Sequence, residues 1–140
     1  MITAVDTNVL LDVFAADPEH GPTSRAALGR CLEEGLVLAC EVVWAEVTAA
    51  FPSAERAQDT LLTAGVTFTP MNAEAASMAG AAWRQYRSAG GPRTRVIADF
   101  LIGAHASAAT DRLLTRDRGF YRSHFEGLEV IDPSAGQPPR

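Results

Sequence analysis

The chain has 140 residues, 47% hydrophobic and 21% charged, which suits one globular domain with a full core. No apolar run approaches the roughly 20 residues that span a bilayer, and the amino terminus lacks the basic start and long apolar run of a signal peptide, so the cytoplasm is the expected compartment. A net charge of −5 argues against tight nonspecific binding of nucleic acid by the surface as a whole.

Ile2 to Val5 reads as a short buried strand, and Thr7 to about Ala15 as a helix with Thr7 as its N-cap and Val9, Leu10, Val13 and Phe14 on one face. Asp17 to Gly21 reads as a loop. A second helix is predicted from about Thr23 to Glu34, closed by Gly35, followed by a strand over Leu36 to Ala39. Glu41 to Phe51 reads as a helix stopped by Pro52. Ser53 caps another to about Ala64, closed by Gly65. Val66 to Thr69 is a third strand. Asn72 caps a long helix over Ala73 to Ser88, and Ala89-Gly-Gly-Pro92 breaks the chain. A further helix is predicted from about Thr94 to Ala109, then strands over Arg112 to Thr115 and Leu128 to Ile131. The domain is expected to fill residues 1–132, with 133–140 a frayed tail poor in apolar content. Short apolar strands alternating with helices indicate an α/β fold with a five-stranded, mostly parallel sheet, whose functional groups gather beyond the carboxyl ends of the strands.

Charge is unevenly spread. All twelve basic residues are arginine, and eight lie between Arg84 and Arg122: Arg84, Arg87, Arg93, Arg95, Arg112, Arg116, Arg118 and Arg122. Only Asp99, Asp111 and Asp117 oppose them there, so this stretch carries +5 and the remainder −10. Such a stretch suits a phosphate backbone, or else pairs with the acidic half. Cys31 and Cys40 match no metal or redox spacing and read as buried thiols.

Four acids stand in or beside apolar segments, where a lone charge is costly. Asp6 ends the first strand. Glu46 lies within Val42-Val-Trp-Ala-Glu-Val47, whose apolar neighbours suggest partial burial. Asp99 is flanked by Val96-Ile-Ala and Phe100-Leu-Ile102, and Asp117 follows Leu113-Leu-Thr-Arg. Each has an ordinary structural reading as a cap, turn residue or solvated acid. Together in one fold they repel, and a hard divalent cation is the natural counterion. Mg²⁺ and Mn²⁺ favour oxygen ligands, and Mg²⁺ keeps much of its water, so two or three carboxylates suffice. Metal-dependent phosphodiester cleavage is therefore the leading expectation. No histidine is well placed for it. His105 lies six residues past Asp99, about 600° of helix rotation, while His20 and His124 fall in connections. Asn8 and Thr115 suit support of the carboxylates. Arg95, one turn before Asp99 in the predicted helix, suits either an ion pair with Asp99 or a substrate phosphate.

The ordered set Val5-Asp-Thr-Asn-Val-Leu-Leu11, Val43-Trp-Ala-Glu-Val47, Arg95-Val-Ile-Ala-Asp-Phe-Leu-Ile-Gly-Ala104 and Leu113-Leu-Thr-Arg-Asp-Arg-Gly-Phe120 resembles a PIN domain, and more narrowly a VapC-type toxin ribonuclease. The resemblance implies a parallel five-stranded sheet between helices. It implies Mg²⁺ or Mn²⁺ held by Asp6 and Asp99, with Glu46 and Asp117 acting directly or through water, and Thr115 as the small hydroxyl residue two before the last acid. It further implies RNA as substrate, a homodimer, and a small antitoxin whose carboxyl-terminal segment fills the active groove. Cys40-Glu41 departs from the pattern, since many relatives carry a hydroxyl residue there.

Rival readings fare less well. A haloacid-dehalogenase-type phosphatase needs a general acid two residues after its first aspartate, where Asn8 stands. A response-regulator receiver needs a lysine, and the chain has none. An RNA-maturation nuclease of the same superfamily usually carries extra domains. A catalytically silent binding module would cleave no RNA with any metal.

Overall fold

The computed structural model describes residues 1–135. These form five strands and seven helices: β1 (Ile2–Val5), α1 (Thr7–Phe14), α2 (Gly21–Glu34), β2 (Leu36–Ala39), α3 (Glu41–Ala49), α4 (Ala54–Thr63), β3 (Val66–Phe68), α5 (Ala73–Ser88), α6 (Ile97–Ala109), β4 (Arg112–Leu114), α7 (Arg118–His124) and β5 (Glu129–Ile131). All four strand pairings are parallel, in the order β3-β2-β1-β4-β5. The chain winds outward from β1 through β2 to β3, then returns to lay β4 and β5 on the other side of β1. The crevice between β1 and β4 is thus the switch point, where such sheets expose groups to a ligand.

Both sheet faces are covered, so the strands read as continuous apolar runs. Ala4, Val5, Val37, Ala39, Leu113, Leu114 and Val130 join Val9, Leu10, Leu28, Val43, Val47, Leu61 and Phe100 from the helices in one core. Cys31 and Cys40 are buried free thiols within it, as expected. Gly35 is required by close approach: a Cβ there would collide with the Met1 carbonyl, which accepts the Leu36 amide at 3.0 Å.

The boundaries differ from expectation in several places, among them α3, which ends at Ala49 rather than Phe51. Asp6, not Thr7, is the N-cap of α1, accepting the Thr7 amide through its side chain. The α2 helix begins at Gly21, two residues early, because Pro22 suits a first turn where no amide donor is needed. The α6 helix begins at Ile97, with Val96 extended as its cap, so Arg95 precedes the helix. The short α7 falls in a stretch with no predicted element. Pro133 to Ala135, read as tail, form a turn in which the Ser134 amide and hydroxyl donate to Asp132 at 2.9 and 2.6 Å. The rest of the expected tail, 136–140, lies outside the described residues. Among the described residues no helix is long and apolar enough to cross a membrane.

Candidate metal and nucleic-acid site

The first acid is fixed by the sheet itself. The Asp6 amide extends the β1–β4 ladder by donating to the Leu114 carbonyl at 2.9 Å, and its side chain stands at the start of α1. The carboxylate is buried and well supplied with donors. Oδ1 accepts the Thr7 amide at 2.7 Å; Oδ2 accepts the Thr115 hydroxyl at 2.7 Å and the Asn8 amide nitrogen at 3.4 Å. Burial nonetheless pushes its pKa up from 3.8 to about 6; the hydrogen bonds oppose this, and the charges of Asp99 and Glu46 add to it.

Thr115 ties two acids together. It donates to Asp6 and accepts the Asp117 amide at 3.0 Å, so the carboxyl ends of β1 and β4 share one hydroxyl. Asn8 reaches the same group, and its carbonyl oxygen accepts the Arg116 amide at 3.3 Å. Asp99, in the first turn of α6, is half-buried. Its pKa is raised chiefly by burial and further by Asp117, against the pull of Arg95.

Glu46 corrects an expectation. It is exposed, because Val43 and Val47, one turn apart, carry the buried stripe of α3 and Glu46 sits beside it. Its Oε1 accepts the Thr7 hydroxyl at 2.7 Å, which links it to the segment carrying Asp6.

Arg95 lies outside the helix predicted for it, yet meets both acids. Its guanidinium grips Asp117 through both nitrogens, stands 3.8 Å from Asp99 and stacks 4.3 Å from the centre of the Phe120 ring. The arginine-rich stretch is accordingly less free than its count suggests. Arg112 is buried and paired with Glu34. Arg116 binds buried Asp12, which also accepts the Ser24 hydroxyl at 2.8 Å. Arg84, Arg87, Arg93, Arg118 and Arg122 remain exposed.

Two residues escaped the sequence reading. Asp12 is an acid in an apolar run, the criterion that picked out Glu46, and it proves to be a buried structural anchor. Tyr121, buried on α7, faces Asp6, Asp99 and Asp117; burial and those charges push its phenol up, so it stays neutral. The spacing of Phe120, Tyr121 and Phe125, all buried, was the available signal for α7. His105 is buried with Nε2 unpartnered, in the neighbourhood of Glu41 and Thr69. His124 closes α7 and packs against Phe100 and Phe120 rather than sitting in a connection.

Among the described residues no three His, Cys, Asp or Glu side chains form a ready metal cage. The donor set still fits a hard cation. Asp6 and Asp99 offer oxygen only, both are pushed toward protonation by burial and by neighbouring negative charge, and a Mg²⁺-like ion needs only one or two protein carboxylates beside its waters.

A doubly wound parallel sheet with carboxylates gathered at its switch point defines a class of α/β domain able to hold an oxygen-liganded metal. Residues 3–126 match the model of the PIN domain family, to which the chain belongs. Its fold is similar to that of VapBC2 from Rickettsia felis, solved bound to a promoter DNA fragment, with TM-score 0.72 and 19% identity over 94% of this chain and 98% of that one. It is equally similar to VapBC-1 from nontypeable Haemophilus influenzae, with TM-score 0.72 and 17% identity over 96% and 99%. Mycobacterium tuberculosis VapC20, a toxin described as cleaving the sarcin-ricin loop, matches with TM-score 0.54 and 16% identity over 79% and 86%. No curated protein matches the chain in sequence.

Proposed function

We propose that this PIN domain, spanning residues 1–132, is a metal-dependent endoribonuclease and the toxin of a toxin–antitoxin pair. The observation that carries the reading is the convergence of Asp6, Asp99 and Asp117 at the β1–β4 crevice, with Glu46 joined to Asp6 by charge and by Thr7. Asp6 and Asp99 would hold Mg²⁺ or Mn²⁺ directly, with Glu46 and Asp117 directly or through water. The ion would neutralise the phosphodiester, lower the pKa of attacking water and stabilise the leaving oxygen.

The chain's own residues then have distinct work. Thr115 and Asn8 fix the Asp6 carboxylate, and Thr115 also fixes the backbone at Asp117. Neutral Tyr121 closes the inner side of the site against water. Arg95 holds Asp117 and is the cation nearest to where a scissile phosphate would sit.

Fold similarity to complexes of VapB with VapC supports a small antitoxin partner and RNA as substrate. A cytoplasmic homodimer fits the same reading, with exposed Phe68, Met78, Val96 and Ile97 available for burial. One observation favours a silent binding module instead: Arg95 already neutralises Asp117. Cleavage of total RNA with Mn²⁺, Mg²⁺ or EDTA separates the two. Discrete metal-dependent fragments that Asp99→Asn abolishes support the nuclease; no cleavage under any metal supports the module.

A further inference from the structure

The carboxyl-terminal end of α5 and the 89–96 segment enclose a cleft of about 590 Å³ lined by Trp83, Arg84, Arg87 and Arg93. An adjoining cavity of about 250 Å³ adds Tyr86 and Pro92. The floor is aromatic and braced. Trp83 stacks near-parallel on Tyr86, with centroids 5.9 Å apart, and meets the Phe100 ring edge-on at 5.3 Å. The Tyr86 hydroxyl donates to the Pro92 carbonyl, and a Cβ on Gly91 would collide with the Tyr86 ring, so the segment lies flat against the aromatics.

The rim is cationic and unspent. Among the described residues, no carboxylate lies within 4.0 Å of Arg84, Arg87 or Arg93, whereas Arg95, Arg112 and Arg116 all have one. Arg87 stands 5.8 Å over the Trp83 ring. An arginine in the last turn suits the helix dipole, but that does not account for Arg93, which lies beyond the helix. Arg93 is two residues from Arg95, at most about 7 Å of extended chain. Phe100, which packs edge-on against Trp83 in the core, follows Asp99 directly, so the cleft neighbours the acidic crevice through α6 and the 93–95 segment.

We propose that this cleft is a nucleotide subsite for single-stranded RNA flanking the scissile phosphate, with a base stacked on Trp83 and phosphates facing Arg84, Arg87 and Arg93. An aromatic platform within a band of unpaired arginines is the chemistry that holds single strands without sequence preference. It also places the grip of an acidic chain on one local surface. The subsite rests on the ribonuclease reading above, and its test must be separable from it.

The Trp44→Phe variant leaves Trp83 as the single tryptophan of the full chain. In EDTA, where no cleavage occurs, it is titrated with octauridylate at several salt concentrations. The expected result is saturable quenching of Trp83, with the salt slope reduced by about 1.4 in Arg84→Ala/Arg93→Ala, since each phosphate neutralised on a single strand adds about 0.7 to the slope. The same quenching in otherwise wild-type protein, abolished by Trp83→Phe, covers the case of a misfolded Trp44→Phe. Absence of quenching, an unchanged slope in the double variant, or quenching by octaglutamate alone overturns the subsite; the last would mark a protein-binding surface. Mn²⁺-dependent cleavage is measured in parallel. Cleavage without a Trp83 response removes the subsite and keeps the nuclease. A Trp83 response without cleavage keeps the subsite and removes the nuclease.

Discussion

Asp6→Asn should stabilise the metal-free protein at neutral pH while abolishing its activity. In the folded chain the Asp6 carboxyl titrates at about 6 rather than 3.8, first because it is buried and then because Asp99 and Glu46 repel it. The folded state therefore holds its proton more tightly than the unfolded state does. Stability is fully present below pH 3.8 and is lost as pH rises through about 6. At 1.36 kcal/mol per pH unit, that interval amounts to about 3 kcal/mol of cost at pH 7. Asparagine carries no such charge, but it replaces an acceptor with a donor opposite the Thr115 hydroxyl, which returns about 1 kcal/mol of the gain. The assay is urea denaturation of both proteins in EDTA between pH 4 and pH 8. The variant should gain on the wild type by about 2.4 kcal/mol across that range, about 2 kcal/mol of it between pH 4 and pH 6. Saturating Mn²⁺ should more than offset the wild type's remaining deficit of about 2 kcal/mol, since a ligand at one hundred times its Kd adds about 2.7 kcal/mol. A difference that stays flat with pH, or wild type gaining on the variant as pH rises, would refute the reasoning.

Two further outcomes follow from the same geometry. Arg95→Ala removes a cation that competes with metal for the acids. A unit charge about 6 Å from a divalent ion costs roughly 1.4 kcal/mol in a water-like dielectric, so calorimetry should find Mn²⁺ bound about tenfold more tightly. The variant should lose at most about 1 kcal/mol of stability, because the Arg95–Asp117 pair is about a third exposed. Weaker Mn²⁺ binding would mean that Asp117 needs the guanidinium to be placed. Gly103→Ala would drive a Cβ into the Phe125 ring, and that clash should exceed the roughly 1 kcal/mol that alanine ordinarily gains over glycine within a helix. A melting temperature several degrees lower is expected; a rise would show that Phe125 swings aside.

The architecture was legible because its signals are local. Strand and helix alternation and the Ser53 and Asn72 caps each depend on a few adjacent residues and stand where they were read, while the helix before Pro52 ends two residues early, at Ala49. The PIN resemblance drew on short motifs of the same kind, and the family model matches residues 3–126. Less legible was what depends on contacts distant in sequence. Apolar neighbours do not bury an acid; the face of the helix does, so Glu46 is exposed while Asp12, equally surrounded by apolar residues, is buried against Arg116. The arginine stretch looked like one field, yet Arg112 and Arg116 spend their charge on Glu34 and Asp12, 78 and 104 residues away in sequence. Arg95 was placed in a helix that begins two residues later, and its guanidinium meets both Asp117, 22 residues away in sequence, and the Phe120 ring of α7. A seven-residue helix offers too few turns for its period to stand out.

Metal-dependent RNA cleavage by these carboxylates is tested with purified chain, free of antitoxin, on total cellular RNA, with Mn²⁺, Mg²⁺ and EDTA in parallel and Asp99→Asn as the control. Discrete fragments with metal, absent in EDTA and in a variant whose circular dichroism matches wild type, are the expected result. Fragments that persist in EDTA or in Asp99→Asn would contradict the claim.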